Sequence, residues 1–187
     1  MMFTNALREG TFRWNHSYVS GYGHVMSDDL LYRDEWKGIY YKDKRIGYSH
    51  TKIIPEKGPE SAGFIVNNTV FLGLPLLNTK RLIHFNSQSI VSHDRLLETF
   101  SASLRSNAYI FNVSGKRTGP NQFSVTTDTD SPHTFTAHIP DGTILSDGFL
   151  SLFTFSDLDP GDSVEFPVFN PVTARIDHAV ITAREYV

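Results

Sequence analysis

From Trp36 to the C-terminus, apolar and polar residues alternate with a period of two in about eight segments. That pattern constrains the fold more than any other feature. Successive strand side chains point to opposite faces, so a period-two sequence can bury its apolar set only as one face of a sheet. Turn residues interrupt the pattern roughly every 10–15 residues, the rhythm of an antiparallel meander. Nothing reads as a βαβ crossover.

The segments follow in order. Phe64, Val66, Val70 and Leu72 stand against Ile65, Asn67, Thr69 and Phe71. Gly73-Leu74-Pro75 interrupts them, and Pro75 marks a bend, an edge or a hairpin end because it cannot donate to a ladder. Arg81 to Ser92 is a further strand that turns at His93-Asp94. Leu96, Glu98, Phe100, Ala102 and Leu104 are expected on one face of the next. Tyr109, Phe111 and Val113, then Phe123, Val125 and Thr127, then Phe135, Ala137 and Ile139 form three more inward sets. Pro140-Asp141-Gly142 is a strong turn signal. Ser163 to Phe169 and Val172 to Val187 are expected as two final strands joined around Asn170-Pro171.

Ser146 to Leu158 departs from this rhythm. Phe149, Leu150, Phe153 and Leu158 suit one helix face with Ser146 or Asp147 as cap, although Phe153-Thr154-Phe155 also permits a strand. The expectation is an all-β fold: a large curved antiparallel sheet, a half-barrel or open barrel, with one short helix. A sandwich or closed barrel is the second architecture. Residues 1–34 read as an irregular N-terminal extension, and residues 35–187 as the β domain, cut at or just before a natural C-terminal boundary.

Glu35 to Thr51, E-W-K-G-I-Y-Y-K-D-K-R-I-G-Y-S-H-T, reads as the opening hairpin. With Asp43-Lys44 as a two-residue loop, Tyr41 would face Ile46 and Ile39 would face Tyr48. Tyr40 would then pair with Gly47 and cover its bare backbone, with Gly38 opposite Ser49 and Trp36 opposite Thr51. Trp36, Gly38, Tyr40, Lys44, Ile46-Gly47-Tyr48 and Ser49 resemble the start of a β-rich region found N-terminal to transglutaminase-like domains in bacterial envelope proteins. The resemblance reappears in Pro160-Gly161, Pro167-Val168-Phe169 and Pro171. It implies a lipoprotein-carrier-like half-barrel in the periplasm or cell envelope, accessory to a downstream domain or partner protein. That family's Cys-His-Asp chemistry lies in the downstream domain and transfers to no residue here.

Composition excludes several function classes. A net charge of −3 provides no basic footprint for nucleic acid. The 0 cysteines remove disulfides, thiolate nucleophiles and cysteine-ligated zinc. No stretch reaches the ~20 apolar residues of a membrane-spanning helix, and the N-terminus lacks the pattern of a signal peptide.

The 8 histidines include no pair with H-x-x-x-H or H-x-H spacing, so no metal site and no cofactor are expected. Ser49-His50 and Ser92-His93-Asp94 contain triad residues, but neighbours on a strand point apart, and no nucleophile elbow is present. Asp128-Thr129-Asp130 lacks the glycine and distal glutamate of a calcium loop. Two functions follow. One is a non-catalytic domain that docks a partner or an apolar, lipid-like ligand on its concave face, through Tyr40, Tyr48, Tyr109, Phe111, Phe123, Phe135 and Phe166. The other is a small β-barrel enzyme using His50, His84 and Glu98.

Overall fold

A computed structural model describes residues 22, 32–56, 63–76, 79–107, 109–128, 131–146, 160–161 and 163–182. Eight strands form one antiparallel sheet in strict sequence order: β1 Arg33–Tyr41, β2 Lys44–Pro55, β3 Phe64–Leu76, β4 Thr79–Val91, β5 Leu97–Ser106, β6 Tyr109–Gly119, β7 Gln122–Asp128 and β8 Pro132–His138. The sheet stays open, with β1 and β8 at its edges. A second sheet of three strands has the order β11-β10-β9, with β9 Ile144–Leu145, β10 Ser163–Asn170 and β11 Arg175–Thr182. β9 runs parallel to β10, and β10 and β11 form an antiparallel hairpin.

The alternation sorts the large sheet into two faces. Its core face carries Ile53, Val66, Val91, Phe100, Val113, Phe123 and Val125, all buried. Ile144, Leu145, Phe166 and Phe169 of the small sheet close over the same cluster. Phe100 is the junction: its ring meets Phe123 at 6.2 Å and Phe169 edge-on at 5.4 Å. It also lies over Gly115, its cross-strand partner, where a β-carbon would collide with the ring.

The core face is not apolar throughout. Ser49, Thr51, Asn68, Ser87 and Ser89 are buried on β2–β4. Thr51 donates to Asn68 Oδ1 at 2.7 Å, and the Tyr22 hydroxyl donates to Ser89 Oγ at 3.4 Å. Tyr22 also accepts from the Leu145 amide at 3.4 Å. A residue from the stretch read as an extension therefore ties the two sheets together inside the core.

Several local expectations change. The β1–β2 loop is Lys42-Asp43, with both residues at positive φ (48° and 60°), as a type I′ turn requires. That turn matches the twist of the strands it joins, and it sits one residue earlier than Asp43-Lys44. Tyr41 consequently pairs with Lys44, Tyr40 with Arg45, Gly38 with Tyr48 and Trp36 with His50, with a register shift between Ile39 and Tyr40. Tyr40 covers Gly38 rather than Gly47, whose β-carbon position is blocked by the Phe71 carbonyl oxygen.

A second register shift separates Ile90 and Val91 on β4, where Ile90 pairs with Thr99 and Val91 with Leu97. Glu98 is the extra residue of that bulge, so Leu97 rather than Leu96 begins the buried set. β3 runs through Gly73-Leu74-Pro75 instead of stopping there, and Pro75 lies at the hairpin end opposite Lys80. The helix expected over Ser146 to Leu158 lies outside the described residues except for Ser146, whose amide donates to the Phe169 carbonyl at 2.9 Å. Gly142, at φ 82°, forms the turn expected at Pro140-Asp141-Gly142.

Candidate functional site

The outer face of the large sheet, opposite the core, is a lattice set by the strand register. One row across β2–β6 is Tyr48, Phe71, His84, Arg105 and Ile110. Two residues along each strand lies a second row: His50, Thr69, Asn86, Ser103, Asn112 and Asp128, with Trp36 at its β1 end. A third row is Lys52, Asn67, Gln88, Ser101, Ser114 and Thr126.

The second and third rows line an open trough of about 590 Å³ across β3–β7, in which Asp128 is the one charged residue among those described. The outward side chains are amide and hydroxyl on the middle strands, and Ala102 and Val113 complete the lining. Solvent-facing strands more often carry lysine and glutamate, so a neutral polar lattice distinguishes this face from an ordinary solvated one. On β3 and β4 its groups pair across strands: Thr69 donates to Asn86 Oδ1 at 3.0 Å and Gln88 to Asn67 Oδ1 at 2.9 Å. The side chains of Ser101, Ser103, Asn112 and Ser114 have no hydrogen-bond partner among the described residues, which leaves their donors and acceptors facing the trough.

The first row forms a border that is aromatic on β2–β4 and continues as Arg105 and Ile110 on β5 and β6. Tyr48 stacks on Phe71 at 5.7 Å, and Phe71 meets His84 at 6.3 Å. Trp36 joins the border at 5.4 Å from Tyr48 and stacks on His50, ring centroids 4.0 Å apart and planes within 8°. Trp36 is nonetheless 64% exposed. A 2.7 Å hydrogen bond between His50 Nε2 and Asp34 Oδ1 holds the stack. That bond, and a second from the Tyr32 hydroxyl at 2.9 Å, keep the Asp34 carboxyl below the usual carboxylate range.

The residues singled out in sequence divide sharply. Phe111, Phe123 and Phe166 are buried in the core and line no open surface. Phe135 is half-buried against the same cluster, and Tyr109 is exposed at the start of β6. The small sheet covers the part of their face around Phe100 and Phe123. Tyr48 belongs to the outer aromatic border, and Tyr40 is exposed beside the β1–β2 turn.

Among the ionisable candidates, His50 and His84 share the outer face, whereas Glu98 lies elsewhere. Seven positions along β5 separate Glu98 from Arg105, the partner of His84, or about 23 Å. Arg117 engages Glu98 at 3.5 Å, donates to the Leu97 carbonyl at 2.8 Å and to Asp141 at 2.8 Å, and lies over the Phe123 ring. These contacts clasp the Ile139–Leu145 segment to the sheet, which is structural work. No group of three or more histidine or acidic side chains that could hold a metal occurs among the described residues.

The trough escaped sequence reading because alternation assigns its residues to the solvent side and stops there. The available signal was compositional: Asn67, Thr69, Asn86, Gln88, Ser101 and Ser103 put three consecutive strands' outward positions in neutral polar residues. Comparison with known protein families, curated proteins and solved structures finds no match to this chain.

Proposed function

We propose that this chain is a non-catalytic binding domain whose docking surface is the outer face of the eight-stranded sheet. The observation that carries the reading is the neutral trough bordered by the Trp36–Tyr48–Phe71 aromatics. Aromatic and convergent neutral polar groups around an open concavity are what recognition sites are built from. The engagement of Glu98 by Arg117 supports the non-catalytic half, since it ties that carboxylate to a structural clasp away from the two histidines. The burial of Phe111, Phe123 and Phe166 argues against an apolar ligand on the core face. The hairpin resemblance supports an accessory role beside a transglutaminase-like domain in the cell envelope, and that context belongs to the proposal.

The test is protein-observed NMR of the chain against a library of small polar solutes, run beside assays with generic ester, peptide and amine-acceptor substrates. Amide shifts are expected to cluster on β3–β7, with no turnover. Shifts confined to other surfaces would sink the docking face. Turnover that disappears in His50→Ala or His84→Ala would replace the binding domain with an enzyme.

A further inference from the structure

We infer that the occupant of the outer face is a neutral, extended glycan chain lying across the strands, with its sugar rings over the trough and against the aromatic border. The inference rests on the binding-domain reading and names the ligand class of that same surface.

Hydrogen-bonding chemistry is the first argument. A sugar hydroxyl both donates and accepts, and so needs partners that do the same. Asn and Gln amides and Ser and Thr hydroxyls are neutral and have both capacities. Among the described residues, the trough's polar side chains are of these kinds, apart from Asp128, with Ala102 and Val113 as the apolar part of the lining. Phosphates, nucleic acids and acidic polysaccharides call for clustered arginine, lysine or helix termini; among the described residues the lining contains none, and Arg105 on the border row is a single cation.

Spacing is the second argument. Each row repeats its polar group once per strand, about every 4.8 Å. That is close to the advance of one ring in an extended β-linked sugar chain. Five strands, β3 to β7, span four such intervals, about 19 Å, so four or five successive rings would each meet a fresh pair of side chains.

The border adds a complementary apolar surface. Sugar rings carry apolar C–H faces beside their hydroxyl rims, and C–H groups pack weakly but favourably on aromatic faces. Phe71 and His84 stand two positions from Thr69 and Asn86 on the same strands, so a ring bonded by the second row reaches the aromatic row without bending away. Trp36 is exposed yet held by His50 and Asp34, which limits the ordering cost of using it as a platform. Other occupants fit less well. Lipid chains would leave the amides unsatisfied, and the cores of protein interfaces are depleted in serine.

Titration calorimetry of the full chain tests this with neutral β-1,4-linked hexasaccharides of glucose, xylose and N-acetylglucosamine, alongside polygalacturonate and phospholipid vesicles. At least one neutral hexasaccharide is expected to bind, with an affinity indifferent to added salt. Ser103→Arg, which fills the trough floor, and Trp36→Ala, which removes the platform, should each weaken that binding at least tenfold. Unchanged thermal unfolding of both variants would show that the loss is local. Asn86→Ala provides a further arm, with a smaller loss expected. Binding that survives all three substitutions overturns the inference, as does binding of polygalacturonate or vesicles in place of the neutral chains. If small polar solutes occupy β3–β7 but no hexasaccharide binds, the glycan assignment falls and the binding domain stands. If neither binds, both fall.

Discussion

The two faces of the eight-stranded sheet are made by the same strands, one residue out of phase, and they have opposite fates. On β5 the core face presents Phe100, Ala102 and Leu104, and the outer face Ser101, Ser103 and Arg105. The core face meets a second sheet, excludes water and gains its stabilisation from apolar area and ring packing. The outer face meets solvent, so its amides and hydroxyls contribute little to stability and stay available to bind. Core packing and the proposed docking are thus carried by alternate residues of the same strands, and substitutions on one face should leave the other largely alone.

The sharpest test of that separation is Phe123→Ala. Phe123 is fully buried, and its truncation is expected to cost about 3–5 kcal/mol in urea unfolding. A cost under about 1 kcal/mol, the scale of an ordinary surface change, would mean the core face is not packed as described.

Arg117→Ala asks whether the clasp between the sheet and the Ile139–Leu145 segment matters to stability alone. Losing charge-assisted bonds to Leu97 and Asp141 should cost roughly 1.5–3 kcal/mol in the same assay. An unchanged midpoint would demote the clasp to a surface ion pair.

Gly47→Val probes the place where the opening hairpin joins the rest of the sheet. Its new side chain would meet the Phe71 carbonyl, which cannot yield without disturbing the β2–β3 ladder, for a loss of roughly 1–3 kcal/mol. Full stability in this variant would refute the register found for β1–β3.

Ser101→Ala on the trough is the counterpart of Phe123→Ala. It should change stability by no more than about 0.5 kcal/mol while reducing ligand-induced NMR shifts. A large loss of stability would collapse the distinction between the faces.

The smallest effect is acid sensitivity of the Trp36–His50 stack. Because the folded-state carboxyl of Asp34 titrates below its usual range, its contribution is fully present above that range and is lost as pH falls through the folded value. The Trp36 indole resonance should therefore show a transition in acid that follows the Asp34 carboxyl. Asp34→Asn should abolish the acid transition, and a transition that persists in this variant would assign it to another group.

Much of the meander is legible from alternation and turn residues. The inward sets Phe100-Ala102-Leu104 and Phe123-Val125-Thr127, the turn at Pro140-Asp141-Gly142 and the final strand pair follow from period and punctuation. Registers are less legible. Asp43-Lys44 and Lys42-Asp43 are both reasonable loops in sequence, and backbone twist selects the one that closes as a type I′ turn. The bulge at Glu98 shifts a strand by one residue without any residue type announcing it. The aromatics expected at an open surface show the same limit: Phe111, Phe123 and Phe166 carry no mark that says whether another layer will cover them.

By itself, the sequence determines that this chain forms an antiparallel all-β sheet with one apolar and one polar side, because side-chain direction in a strand is a local property with a period of two. Only the tertiary structure decides which side is covered, that β9 pairs in parallel with β10, that Tyr22 enters the core, and that the outward polar residues of five strands align into one trough. Those outcomes depend on registers between segments far apart in the chain, and a register is the sum of turns, bulges and packing that no single stretch contains.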